Sequence, residues 1–232
     1  MALVKYGGVA IDVRGKIAGN VFSRNSYGSY IRALTKPVNP NTELQQNIRG
    51  VMQSITTRWN QTLTQEQRDG WNVYAAAITW QNRLGDDIQL TGFNMYVRSN
   101  LAILYAGLTE VDEGPAELSL PNSDDTLAIT AYEDGQNLDI SFDTDLEWLD
   151  EAGGALVIFA GTPVTQTTNY FGGPWKIAGT IEGDATTPPT SPSVIDNPYQ
   201  VSEGQKQFYR ARILRADGRV TSFFRCTGTV TA

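Results

Sequence analysis

The sequence contains no histidine and only one cysteine, Cys226, and these two shortages exclude several classes of site. Without histidine there can be no Ser-His or Cys-His nucleophile and no histidine-ligated metal. A single cysteine can form neither an intrachain disulfide nor a structural zinc site, and we interpret it as a small buried hydrophobe. The chemistry that remains available is that of carboxylates, of lysine, or of binding alone.

Long hydrophobic runs are also missing. No segment approaches the ~20 apolar residues of a membrane span, and the first residues lack the basic and apolar regions of a signal peptide. A single unpaired thiol suits a reducing compartment. We therefore expect a protein that is made in a cytoplasm and does not associate with a membrane.

Charge is distributed unevenly along the 232 residues. Residues 1–109 carry a net charge of +5, whereas residues 110–232 carry −12. This change of sign, together with the acidic Gly- and Pro-containing stretch at residues 110–115, predicts a domain boundary. The overall charge of −7 argues against a general nucleic-acid binder, because neutralising phosphates requires a basic surface.

The pattern along the chain predicts three parts: an extended β-hairpin arm at 1–40, a helical domain at 41–109 and a β-sandwich at 117–232. In the arm, β-forming residues flank a turn at Asn25–Gly28, which predicts a hairpin in which Gly28 has a positive φ. The arm lacks a continuous apolar face, and an isolated hairpin is marginally stable in water. We therefore expect the arm to pack on a partner.

Two capping boxes and a third start signal predict three helices in the helical domain. The boxes begin at Thr42 and Thr64, and the third helix runs from Thr91 to a stop at Gly107. Residues 83–90 predict a turn or short hairpin before that third helix. Apolar residues at helical spacing define one stripe on each helix. Trp59, Trp71 and Trp80 are interpreted as part of the helical core. The stripes are Leu44, Ile48, Val51, Met52, Ile55 and Trp59; Trp71, Tyr74, Ala75 and Ile78; and Phe93, Tyr96, Val97, Leu101 and Leu104.

Beyond residue 117, short strands separated by turns predict a sandwich, which makes the fold class α+β with an immunoglobulin- or fibronectin III-like C-terminal part. The run Gln207–Ser222 resembles the last hairpin of fibronectin type III-like domains. The Pro/Thr-rich stretch at 186–192 predicts a loop crossing between the sheets, with a partner-binding polyproline segment as the alternative. The predicted strands are Leu127–Tyr132, Leu138–Asp143, Ala155–Gly161, Trp175–Ile181, Phe208–Leu214 and Val220–Arg225.

Carboxylates cluster around Trp148 in the segment Asp143–Glu151. The favoured interpretation is a solvated acidic loop. A calcium-binding loop is one alternative, although the segment lacks the ligand spacing of an EF-hand. A second alternative is a carboxylate pair that binds or hydrolyses a glycan with the help of Trp148 and Trp175.

The arm combines basic and aromatic residues, a combination that is enriched in protein–protein interfaces. We expect it to dock on an acidic protein partner. Nucleic-acid binding is the alternative, which the shortness of the patch and the acidic balance of the chain disfavour. The candidate partner-binding residues are Arg14, Lys16, Phe22, Arg24, Tyr27, Tyr30 and Arg32.

Several motifs, taken in order, resemble a family of tailed-phage and prophage virion proteins. They are Ser23–Arg32, Pro37–Thr42, Gln45-Gln46, Trp59, Leu63-Thr64, Gln67-Arg68, Trp71–Ala75 and Leu90–Ser99. The resemblance implies a non-enzymatic structural protein of the virion, with no catalytic residue, cofactor or metal site.

The expected role is a capsid-associated decoration or stabilising protein that is anchored by its arm and helices and exposes the acidic sandwich. Its expected partners are other virion proteins, and the repetition of parts in phage shells predicts a homo-oligomer. One alternative is a neck or tail component with an adhesion-type sandwich. The other is the carboxylate-based glycan-binding or glycan-hydrolysing protein.

Overall fold

The structure, a computed structural model, describes residues 2–5, 7–8, 12–25 and 28–232. Across these residues the chain forms three α-helices and thirteen strands, which pair into sheets of four, two and seven strands. The predicted α+β class is confirmed. The four-stranded sheet and the helices come first, and the seven-stranded sheet forms the C-terminal sandwich.

The four-stranded sheet is the N-terminal arm. Its strands are β1 (Ala2–Leu3), β2 (Gly15–Ile17), β3 (Asn20–Asn25) and β4 (Gly28–Ala33). They pair antiparallel in the order β1-β4-β3-β2. The predicted hairpin is confirmed, since β3 pairs with β4 as far as Asn25 opposite Gly28, and Gly28 has the predicted positive φ of 118°. The turn residues 26 and 27 lie outside the described part.

The helices are α1 (Glu43–Gln61), α2 (Gln65–Ala77) and α3 (Gly92–Tyr105). Both predicted capping boxes form: Thr42 and Thr64 each accept from the backbone N–H three residues on, and the glutamine there reaches back to the cap. These contacts provide acceptors for backbone N–H groups that have no hydrogen-bond partner within the first turn of an α-helix. Between α2 and α3, β5 (Trp80–Gln81) and β6 (Asp87–Ile88) form the predicted short hairpin.

The helices pack around fully buried Trp71, Tyr74 and Tyr96. Trp59 and Trp80 lie at the edge of the same cluster, so the interpretation of the tryptophans as core is confirmed. The single stripe predicted for α3 is wrong. Its buried residues lie on two sides of the helix, because α3 contacts α1 and α2 on one side and the sandwich on the other. These residues are Gly92, Met95, Tyr96, Ser99, Asn100, Ala102 and Ile103.

The sandwich contains seven strands in the order β10-β9-β12-β13-β7-β8-β11. β13 joins the two layers, because it pairs antiparallel with β12 along most of its length and parallel with β7 at Val230 and Thr231. The layers enclose a core that includes Leu138, Trp148 and Tyr209. The strands are β7 (Ala128–Tyr132), β8 (Asn137–Ser141), β9 (Ala155–Gly161), β10 (Trp175–Glu182), β11 (Ser193–Asp196), β12 (Lys206–Leu214) and β13 (Phe224–Thr231).

Five of the six predicted strands match observed ones, and the last is displaced. β13 begins at Phe224, and Val220 makes only one isolated pairing with Leu214. The tight turn at Asp217-Gly218 closes between Arg215 and Arg219, after which the chain changes register before it pairs again. Strand β11 was not predicted, because it follows the Pro/Thr-rich loop and has only four residues.

The helices and the sandwich share a third apolar cluster. Ala102 and Ile103 of α3 pack on the outer face of the layer β10-β9-β12-β13, against Val157 and Leu214. Arg98 of α3 donates two hydrogen bonds, of 2.8 and 2.7 Å, to the backbone carbonyls of residues 220 and 221. α3 therefore covers part of the outer face of this layer.

The connector between the helices and the sandwich passes directly over α2 at Gly114. A Cβ on Gly114 would lie 2.3 Å from the carbonyl carbon of Gly70 and 2.6 Å from the amide nitrogen of Trp71. We expect Gly114→Ala to lower the free energy of unfolding by about 1–3 kcal/mol, because two backbone segments would have to separate. Urea denaturation measures this change.

Gly50 provides the matched control, because a Cβ there, within α1, meets nothing within 4 Å. Gly50→Ala should raise the free energy of unfolding by about 0.5–1 kcal/mol through helix propensity. Equal effects of the two substitutions would contradict the close approach at Gly114.

Candidate docking arm

The N-terminal arm has no core of its own. None of the described side chains in residues 3–36 is buried, and the first buried side chain along the described chain is Ile55 of α1. Ile17 and Leu34 are half exposed. A four-stranded sheet without a buried side chain among its described residues gains little stability from burial.

Strand register divides the candidate residues between the two faces of the sheet. Opposite residues share a face, and successive residues alternate between faces. Lys16, Val21 and Arg32 stand opposite one another on three neighbouring strands, and Tyr30 is on the same face as Arg32. This basic face therefore carries two cations and a tyrosine around an aliphatic side chain.

The other face is more apolar. Phe22 stands opposite Ile31, and Arg24 follows two residues after Phe22 on the same side. Ile17 at the edge of the sheet extends this face. Phe22 and Ile31 are half-buried, so part of each side chain remains exposed.

Two of the seven candidate residues are not assigned to a face. Arg14 precedes β2, and its Nε forms a 2.9 Å ion pair with Asp12. Tyr27 lies outside the described residues. The structure therefore brings together five of the predicted residues, as sets of three and two on opposite faces.

Three cations on the strands of the arm have no counter-ion within the described part of the chain. Lys16, Arg24 and Arg32 have no carboxylate within 4 Å there. Lys5, in contrast, forms a 2.6 Å ion pair with Asp86 beside the β5–β6 hairpin, and the hydrogen bond from Lys5 lowers the pKa of Asp86. This exposed polar contact joins the arm to the body, by which we mean the helices and the sandwich. The positive charges of Lys16, Arg24 and Arg32 remain available to an acidic partner.

The acidic segment around Trp148 is structural. Trp148 is only 1% exposed and packs on Phe142 in the sandwich core, so it cannot stack on a sugar. Glu147 and Glu151 both pair with Arg215. The carboxylate of Asp143 accepts a hydrogen bond from the backbone of residue 145.

The main residues of the glycan and calcium alternatives are therefore engaged in contacts within the sandwich. The ring of Trp175 is occupied by Phe171, at 5.0 Å between centroids, and by the guanidinium of Arg210, at 4.9 Å. Within the described residues, no group of three or more carboxylate or cysteine side chains is placed to hold a metal ion. The cleft of about 180 Å³ beside the acidic segment is lined by the paired Glu147 and Arg215.

Sequence reasoning missed a cluster of arginines and aromatic rings on the outer face of the sandwich. Arg210 and Arg212 project from β12 on the side opposite the core, and Arg225 of β13 stands opposite Arg210. The alternation of arginines with Ala211 and Ile213 was the available signal. It could not show that an arginine on another strand completes the cluster.

Cys226 lies on β13 against the sandwich core, half-buried where a buried hydrophobe was predicted. Burial raises the pKa of its thiol to about 12. With a pKa about three units above the ordinary value, the thiolate fraction falls about a thousandfold. We expect almost no reaction with a disulfide reagent at pH 8 in the folded protein, and one reactive thiol per chain after denaturation. Rapid modification of the folded protein would contradict the position of Cys226.

Comparisons with known proteins give no family. No protein-family model matches the chain, and no curated protein matches it. Two solved structures each align with 49% of the chain at a TM-score of 0.31. One is a Fn3-like protein from Clostridium thermocellum, 14% identical and covered over 97% of its length. The other is the adhesin domain of Epf from Streptococcus pyogenes, 12% identical and covered over 34% of its length.

At that TM-score the alignments carry no weight, and the sandwich assignment rests on the pairing of its strands. The helices also bear on whether the chain could cross a membrane. None of the helices in the described residues is long and apolar enough to cross a membrane.

Proposed function

We propose that this protein is a non-enzymatic structural subunit of a tailed-phage particle, anchored to another particle protein by its N-terminal arm. The observation that carries the proposal is the arm sheet, which has no buried side chain among its described residues. A sheet of this kind becomes stable when a partner covers its apolar side chains.

The charge of the arm supports an acidic protein surface as that partner. Lys16 and Arg32 lie on one face beside Tyr30, and Arg24 lies beside Phe22 on the other. Arginine and aromatic residues are enriched where proteins bind one another. Among the described residues the sheet ends at β1 and β2, and a partner strand added at either edge would extend it.

The helices and the sandwich are suited to display on the surface of a particle. The helices and the sandwich share apolar clusters to which no described arm residue contributes, so the body has a core independent of the arm. The motifs from Ser23 to Ser99 resemble those of virion proteins, which favours a phage particle as the setting. Within that setting we place the protein on the capsid as a decoration or stabilising subunit, with the free surface of the sandwich facing outward.

A neck or tail position with an adhesion-type sandwich is the second candidate, since the same arm could dock on a tube. The proposed test is to purify particles of the encoding phage by density gradient and to locate the protein by immunogold labelling. Label on the heads supports the capsid role, and label on necks or tails supports the second candidate. Absence of the protein from purified particles would overturn both.

A further inference from the structure

The outer face of the layer β10-β9-β12-β13 extends beyond the residues on which α3 packs. It carries a group that we name the arginine face, defined by Arg210, Arg212 and Arg225 with Phe159, Trp175 and Phe223. All six side chains lie on the side of the layer opposite the sandwich core. The arginine face therefore looks away from the molecule.

Aromatic rings hold the guanidinium groups of the arginine face in place. The Cζ atom of Arg210 lies 4.3 Å from the ring centroid of Phe223 and 4.9 Å from that of Trp175. Arg212 lies 4.6 Å from Phe223, and Arg225 lies 5.9 Å from Trp175. Such stacking occupies the flat sides of each guanidinium and leaves its N–H edge for acceptors.

Acceptors for those N–H groups are missing from the described chain. The Nε atoms of Arg210 and Arg212 are buried without a hydrogen-bond partner. Among the described residues, no carboxylate lies within 4 Å of any of the three arginines. Arg210 and Arg225 stand directly opposite each other, and like charges in that arrangement destabilise a sheet.

The lowered pKa values of two arginines agree with this picture. Burial lowers the pKa of Arg210, and the charge of Arg225 lowers it further. Burial also lowers the pKa of Arg212 to about 10, with contributions from Arg98 and Arg210. Positive charge is therefore concentrated and uncompensated in a domain whose net charge is strongly negative.

Exposed apolar side chains flank the arginine face. Phe223 is 42% exposed, and Tyr170 is 76% exposed at the rim of a cavity of about 280 Å³. Phe171, Phe208 and Arg225 line that cavity. Aromatic and arginine side chains around a cavity are characteristic of the centre of a protein interface.

The opposite side of the same sandwich has complementary chemistry. Asp139 of β8 stands opposite Val194 of β11, and Asp196 lies two residues after Val194, so all three share the outer face of that layer. Val194 is 58% exposed. Among the described residues, neither aspartate has a cation within ion-pair distance. We name this group the aspartate face.

We propose that the arginine face of one copy binds the aspartate face of a second copy, in a head-to-tail contact. The two faces lie on opposite sides of one sandwich, so they cannot meet within a single chain. Carboxylates from the second copy supply acceptors for the terminal N–H groups of the three arginines, while the Nε atoms of Arg210 and Arg212 stay buried. A contact between two different faces leaves one of each free, so it propagates into a ring or a filament. The proposal concerns the sandwich and is independent of the arm.

The test uses sedimentation of the full-length protein over roughly micromolar to millimolar concentrations, the range of weak specific contacts. We expect wild-type protein to self-associate, and we expect the association to weaken when NaCl is raised from roughly 0.05 to 0.5 M. Arg225→Glu should weaken association about tenfold or more, and so should Asp139→Lys combined with Asp196→Lys. Thermal unfolding of each variant shows whether the fold is retained.

Mixing the two variants is the decisive experiment. One retains an intact aspartate face and the other an intact arginine face, so an equimolar mixture should regain association although each alone has lost it. Arg83→Glu, an exposed arginine in the β5–β6 hairpin with the same charge change, is the matched control and should associate like wild type. A monomeric wild type, unchanged association of Arg225→Glu, or failure of the mixture to associate would overturn the proposal. Association that requires residues 1–36 but not Arg225 would overturn it as well.

Discussion

Replacing Trp71 by alanine should lower the free energy of unfolding by about 3–5 kcal/mol, the usual cost of truncating a fully buried tryptophan. Trp71 contacts Tyr74 and Tyr96 edge to face, and its Nε1 donates a 2.9 Å hydrogen bond to the backbone carbonyl of Asp112. Its ring also touches the turn of the sandwich, because a Cβ on Gly218 would lie 3.1 Å from Cη2. One side chain therefore joins α2, the connector and the sandwich.

Because Trp71 belongs to both parts, we expect its loss to shift a single cooperative transition, as followed by far-UV and near-UV circular dichroism during urea unfolding. Val73→Ala is the matched control on the same helix. Val73 is exposed, so its truncation should change stability by less than about 0.5 kcal/mol. A loss of less than about 1 kcal/mol for Trp71→Ala would contradict the shared packing. So would two separate transitions in the wild type.

Deleting residues 1–36 should abolish incorporation into particles and leave the unfolding midpoint of the remaining body unchanged. The reason is that the described arm contributes no side chain to any of the apolar clusters of the body. Among the described residues, an exposed ion pair between Lys5 and Asp86 connects the arm to the body. Immunoblots of gradient-purified particles measure incorporation, and thermal unfolding of the purified protein measures the body.

A milder change separates docking from folding of the arm. Lys16→Glu combined with Arg32→Glu reverses the charge of the basic face and should reduce incorporation about tenfold or more. Arg83→Glu carries the same kind of change at a distant exposed site and should have no effect. Normal incorporation of the truncated protein, or a large loss of stability in its body, would refute the assignment of the arm as a separate anchor.

Local features of the fold could be predicted from the sequence because their causes are local. Thr42 with Gln45 and Thr64 with Gln67 form capping boxes whose whole geometry lies within four residues. The hairpin ending at Asn25 and Gly28 likewise depends on a single turn. Each of these predictions needs no knowledge of distant parts of the chain.

Features that depend on two distant segments could not be predicted. The periodicity of α3 suggested one buried stripe, but the sandwich covers Ala102 and Ile103 on a second side. The glycan alternative requires an accessible Trp148 ring, whereas the fold places this ring in the core beside Phe142. The arginine face requires the register between β12 and β13, which brings Arg225 opposite Arg210.

The same limit applies to the docking arm. Its basic and aromatic composition could be read directly, and the alternation rule separates Phe22 from Tyr30 once β3 and β4 are paired. Whether arm residues are buried depends on the whole molecule. The helices pack their apolar surfaces against one another and against the sandwich, and none of the described arm residues is buried. The docking proposal rests on this lack of buried residues together with the basic and aromatic composition of the arm.

Cross-linking of lysines within intact particles, followed by mass spectrometry, tests the anchoring role most directly. The chain has five lysines; Lys5, Lys16 and Lys36 belong to the arm and its connector, and Lys176 and Lys206 belong to the sandwich. We expect cross-links to other particle proteins to start from the three lysines of the first group. Cross-links to other particle proteins from Lys176 and Lys206 alone would contradict anchoring by the arm.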